Sequence, residues 1–144
     1  MAFVNPSVAD FKAQFNRDFP YGTDPNVAVL DSDIAKSFQI TNMNINQGLF
    51  SDQASYSVGY LYLSAHNMVM TLRSSSQGIN GQFSFLNASR GAGQVNEAFS
   101  IPQRILDNPF WSVLAKTNYG IQYLMMVFPK LSGQMFTVWG PTKP

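Results

Sequence analysis

The stretch "DQASYSVGYLYLSAHNMVMTLR", residues 52–73, decides how the rest of the chain folds. Ala54, Val58, Leu61, Ala65, Met68 and Leu72 recur at alternating spacings of four and three, the signature of one helical face. The other flank is not polar either, because it carries Tyr56, Tyr60, Leu63 and Met70. An apolar belt wider than one stripe marks a helix buried on more than one side. The spacing therefore predicts a central helix from Ser51 or Asp52 to about Arg73. No formal charge lies between Asp52 and Arg73. Even so, Gln53, Ser55, Ser57, Ser64, His66, Asn67 and Thr71 are too many polar groups for a lipid-facing span.

Upstream, Ser7 can cap a short helix over "NPSVADFKAQF", with Asp10 in the capping-box position and Val8, Phe11 and Phe15 on one face. Pro20, Gly22 and Pro25 break it. A second helix starts at Asp31 or Ser32, where Asp31 and Asp33 suit the positive end of the dipole. Its stripe is Ile34, Phe38, Thr41 and Ile45, and Gly48 is its expected stop. Downstream, Pro109 stands at the first position of a fourth helix, which begins at Asp107 or Asn108. Phe110, Leu114, Thr117, Ile121, Leu124 and Phe128 form its stripe, and Pro129 is its expected end.

Between helices three and four the texture changes. Residues 74–102 are rich in Ser, Gly and Asn, with strand-like alternation in "QFSF" and "QVNEAFSI" on either side of "SRGAG". This predicts a long β-hairpin-like arm. The end, about 132–144, alternates Met135, Thr137 and Trp139 against Phe136 and Val138, as an extended tail would. The expected fold class is mainly α: a four-helix core with that arm and that tail, in a single domain spanning 1–144.

Composition narrows the function classes. Only 12% of the 144 residues are charged, against about 25% in an average domain, while aromatics reach 14%. Interface cores lose charge and gain aromatics and Met. The pattern predicts a subunit that gives much of its surface to neighbours; the plainer alternative is a monomer with a neutral polar surface. Net charge is +1 and no Lys/Arg run exists, so nothing draws the chain globally to nucleic acid. The absence of cysteine excludes disulfides and thiolate chemistry. The opening "MAFVNPSVADF" lacks the layout of a signal peptide, so assembly in the cytoplasm is expected.

Catalytic constellations are missing. His66 is the one histidine, and its helical neighbours Tyr62, Leu63, Val69 and Met70 supply no triad or metal partner, so it is expected at the edge of the core. "RGAGQVN" lacks both the Walker lysine and the dinucleotide-binding spacing. The methionines are expected to fill the core. No catalytic, cofactor-binding or metal-ligating residue is predicted, and the chain is not expected to be an enzyme. Gly59 and Gly120 stand out instead, since glycine costs about 1 kcal/mol against alanine inside a helix. They predict a close crossing of helices three and four, with Tyr56, Tyr60, Tyr119 and Tyr123 wedging it or facing a neighbouring subunit. Phe83, Phe85, Arg90, Phe99, Phe136 and Trp139 are the candidate partner-binding residues of the arm and tail.

The ordered set "SVADFKAQF", "DSDIAKSF", "YLYLSAHNM", "GQVNEAFSI" and "W…AKTNYGIQYL" resembles the small head–tail connector (adaptor, or head-completion) proteins of tailed bacteriophages. Thr117 to Leu124 is similar to a Thr-x-Tyr-Gly-x-x-Tyr/Phe-Leu motif of one branch of that family. "MMVFPKLSG" departs from the charged helix end of that branch. The resemblance implies a structural virion protein in the neck between head and tail. It implies a homo-oligomeric ring, a dodecamer, bound to the portal protein and to a tail or tail-terminator protein. Double-stranded DNA would pass through the channel unread, with no cofactor and no membrane involved. Two alternatives remain: another phage structural protein, such as a tail terminator or minor capsid factor, or a small helical ligand-binding domain with an apolar pocket between the Tyr- and Met-rich helices.

Overall fold

The computed structural model describes residues 2–76, 89–92, 95–98 and 107–132. The fold is mainly helical, in the order α1 (Val8–Gln14), α2 (Asp31–Asn44), α3 (Gln53–Ser76), α4 (Pro109–Leu114) and α5 (Asn118–Ser132). A 3-10 turn, Gln47–Leu49, links α2 to α3.

Local chemistry sets most boundaries. Ser7 and Asp10 form the expected capping box of α1, the Ser7 N–H donating to Asp10 Oδ2 at 2.8 Å. Asp33 closes the start of α2 by accepting from the Leu30 N–H at 3.0 Å, while Asp31 pairs with Lys12 at 2.6 Å and ties α1 to α2. Asp52 caps α3 by accepting from the Ser55 N–H at 2.8 Å. Two helix ends differ from the periodicity. α2 stops at Asn44, before Gly48, and α3 continues past Arg73 to Ser76. In this last turn the Ser74 and Ser75 hydroxyls donate back to the carbonyls of Met70 and Thr71, so they do not compete for the helix N–H groups.

α3 is the axis of the core. Leu61, Ala65 and Met68 face α1 and α2 in a cluster with Phe11, Phe15, Val29 and Ile34. Tyr56, Tyr60 and Leu63 face the opposite way, in a second cluster with Phe50, Leu114, Tyr123 and Val127. Phe38 and Tyr62 touch both clusters. The wide belt thus buries the helix on two sides, whereas Ala54 and Val58, which the periodicity places in the stripe, are exposed. Where α2 meets α3, small polar groups join the apolar contact of Ile34 and Phe38. Ser37 and Thr41 donate to their own helix carbonyls, and Thr41 Oγ1 accepts from Ser64 and Asn67 at 3.0 Å each. No buried side-chain polar atom among the described residues lacks a partner.

The predicted fourth helix is two helices. Asn108 caps α4, accepting from the Phe110 and Trp111 N–H groups. The chain turns at Ala115–Thr117, and Thr117 starts α5 by accepting the Gly120 N–H at its hydroxyl, 3.0 Å away. The periodicity counts Thr117 as a stripe residue; the structure uses it as a cap. α5 also runs through Pro129 to Ser132 instead of ending before it. Proline cannot donate to the Met125 carbonyl and its ring crowds that turn, but Met125 and Pro129 are exposed to water, and the helix lasts three residues more.

Ser89–Ala92 (β1) pairs antiparallel with Val95–Ala98 (β2), Arg90 opposite Glu97. "SRGA" is therefore a strand and not the tip between two others. Residues 74–76 of the expected arm belong to α3. The rest of that arm, with Phe83, Phe85 and Phe99, and the tail beyond Ser132, with Phe136 and Trp139, lie outside the described residues.

Candidate interaction surface

His66 joins the broken fourth helix to the centre of the fold. It is 1% exposed, deeper than an edge position, and its Nδ1 lies 2.6 Å from Thr117 Oγ1. That oxygen already accepts the Gly120 N–H, so its own hydrogen can be donated to Nδ1. This arrangement suits the neutral ring carrying its proton on Nε2. Burial, and then the nearby Lys116 ammonium, pull the His66 pKa down to about 4.

The sign of the resulting pH dependence follows from proton counting. From the ordinary 6.5 of the unfolded ring down to about 4, the unfolded chain binds a proton that the folded chain refuses. Stability is full above pH 6.5 and is lost as pH falls through that window, by on the order of 3 kcal/mol. Urea unfolding at pH 7 and pH 4.5 measures this loss, and His66→Asn is expected to flatten the difference.

The sequence-singled glycines sit at close approaches of different kinds. A Cβ on Gly120 would collide with the backbone carbonyl of Leu114 and come within 2.9 Å of His66 Nδ1. Gly120 thus lies against both α4 and α3. A Cβ on Gly59 would sit 2.6 Å from the ring of Phe50, so that glycine makes room for an aromatic side chain and not for α5. Among the tyrosines, Tyr56, Tyr60 and Tyr123 are buried in the chain's own core. The Tyr56 hydroxyl donates to Asn5 Oδ1 at 2.7 Å, and that of Tyr60 to Asn42 Oδ1 at 3.0 Å. Burial pushes the phenols of Tyr60 and Tyr123 up to about 12. Tyr119 is half-buried in an aromatic group with Phe15, Phe19 and Tyr62. Arg90 is placed by its backbone on β1.

The face of α5 that looks outward is apolar as well. Gly120, Tyr123 and Val127 point into the core. On the other side Ile121 is 41% exposed, Met125 64% and Leu131 41%, with Phe110 and Val113 of α4 exposed nearby in sequence. Periodicity places Ile121 and Phe128 in the buried stripe; both belong to this outer side, where Phe128 meets the Trp111 ring edge-on at 5.5 Å. Asn118, Gln122 and Pro129 complete it, so no charge stands on the helix between Lys116 and Lys130. Lys130 itself turns back over the Phe50 ring, 4.9 Å from its centroid. The absence of charge between Lys116 and Lys130 marks a helix apolar on more than one flank, but the spacing alone does not say which flank is the inner one.

Among the described residues no helix is long and apolar enough to cross a membrane, and no His, Asp and Glu group comes together that could hold a metal ion. Comparison of the chain with protein-family models, curated proteins and solved structures gave no match.

Proposed function

We propose that the chain is a structural subunit of a closed homo-oligomeric ring, a head–tail connector of a tailed bacteriophage standing between portal and tail. The uncharged outer face of α5, with Ile121 and Met125 exposed on it, carries the reading. A helix with one face in its own core and a second apolar face toward solvent is suited to a neighbour that covers the second. In a ring the contact is heterologous: this face meets a different flank of the next copy until the rotation closes. The mainly helical core weighs against a sheet-centred tail-terminator ring. The clusters that fill the space on both sides of α3 weigh against an apolar ligand pocket there.

In this proposal the residues of the arm beyond α3, about 77–102, and of the tail, about 133–144, engage portal and tail proteins through Phe83, Phe85, Arg90, Phe99, Phe136 and Trp139. DNA passes without sequence readout, in keeping with a net charge of +1 and no basic run. No reaction is catalysed, and the site of action is the neck of the virion.

The test is Ile121→Lys combined with Met125→Glu. Both positions are exposed, so the isolated variant is expected to keep its helical circular dichroism and to melt within a few degrees of the parent. Ring formation, viewed by electron microscopy on portal-bearing capsids, is expected to be lost. Rings that still form in normal number would overturn the proposal.

A further inference from the structure

Phe3, Val4 and Asn5 cross the start of α3 in extended form. Phe3 stacks on the Tyr56 ring, centroids 4.8 Å apart, and Asn5 Oδ1 accepts from the hydroxyl of the same tyrosine at 2.7 Å. Val4, between them, turns outward and is 74% exposed. Side chains that alternate in this way mark extended backbone, which Pro6 favours in the residue before it. Gln53, the first residue of α3, stands in for a neighbouring strand. Its Oε1 accepts from the Val4 N–H at 2.9 Å, and its Nε2 donates to the Val4 carbonyl at 2.8 Å. A further bond from Nε2 to Ser57 Oγ, at 2.9 Å, holds that amide in place.

One edge of the segment is thus closed and the other is open. In extended backbone the N–H and C=O of one residue face one side, and those of its two neighbours face the other. The groups of Phe3 and Asn5 therefore point away from Gln53, and they have no hydrogen-bond partner among the described residues. Such a row of donors and acceptors is a template for an added strand.

The sequence beyond Ser132 carries a segment suited to it. Residues 134–139 have no charge and no proline, include Thr137 and Val138, and are flanked by Gly133 and Gly140. The end of α5 lies close by. Lys130 sits over the Phe50 ring at 4.9 Å, Phe50 meets the Tyr56 ring at 5.7 Å, and Tyr56 meets Phe3. Residues 133–144 can span up to about 40 Å, more than enough to pass from there to the open edge.

We propose that residues 134–139 pair with residues 3–5 of the same chain as a second strand. A partner protein that takes Phe136 or Trp139 must then displace the tail from this edge. The pairing belongs to a single copy and can fail while the ring contact on α5 holds.

Amide hydrogen exchange, followed by nuclear magnetic resonance on the full chain, tests it. The Phe3 and Asn5 amides are expected to exchange about tenfold more slowly than in an unstructured peptide. Proline cannot donate to a strand ladder, and residues 137 and 138 face opposite edges of a strand. At least one of Thr137→Pro and Val138→Pro is therefore expected to abolish that protection. The Val4 amide, held by Gln53, is the internal control and stays protected in both variants, with helical circular dichroism unchanged. Unprotected Phe3 and Asn5 amides in the parent, or protection that survives both substitutions, would overturn the proposal. So would protection that falls on dilution, because it would place the added strand on a second copy.

Discussion

Gly120→Ala is expected to lower the melting temperature of the isolated chain by about 10 °C, equivalent to about 3 kcal/mol in a domain of this size. The direction is the informative part. On helix propensity alone the change would stabilise by about 1 kcal/mol. Here the added methyl has nowhere to go, since it meets the Leu114 carbonyl, which is backbone, and the His66 ring behind it. Relief requires α4 to move away from α5. That movement would disturb the Thr117 cap and its contact with His66, because Gly120 donates to the same hydroxyl. Thermal circular dichroism measures the shift. A variant as stable as the parent would mean that the α4–α5 junction is not packed as described. Gly59→Ala is a useful comparison, because its obstacle is the Phe50 ring, a side chain that can shift, and its penalty should be smaller.

Tyr123→Ala is expected to cost about 4 kcal/mol, the scale of removing a buried aromatic side chain. Tyr123 is 3% exposed and packs with Phe50, Leu63, Leu114 and Val127. Its neighbour but one, Met125, is exposed on the opposite side, so Met125→Ala should change stability by less than about 0.5 kcal/mol. Denaturant unfolding of the two variants therefore separates the two faces of α5. If Tyr123 met another subunit instead of its own core, the isolated chain would lose little on its truncation, and Tyr123→Ala would behave like Met125→Ala.

The central helix was legible because its pattern is redundant. Opposite flanks of residues 52–73 are both apolar, and the structure fills both. The Ser7–Asp10 box was legible because a short polar side chain before an apolar run has few other uses, and the same signal put the start of the central helix at Ser51 or Asp52, where Asp52 is the cap. The break at Ala115–Thr117 was hidden because Leu114, Thr117 and Ile121 keep helical spacing across it. Threonine serves equally as a stripe residue or a cap, and only the contact with His66, distant in sequence, selects the second. The choice of inner and outer faces on α5 was hidden for a related reason. Periodicity reports contrast between faces, and a helix apolar on both offers little contrast.

Because Phe38 and Tyr62 belong to both clusters, neither half of the core can dissolve without exposing rings of the other. The chain should accordingly open as a single cooperative unit. Backbone amides in the middle of α3 then exchange with deuterated solvent only when the whole molecule unfolds, at a rate that reports its global stability.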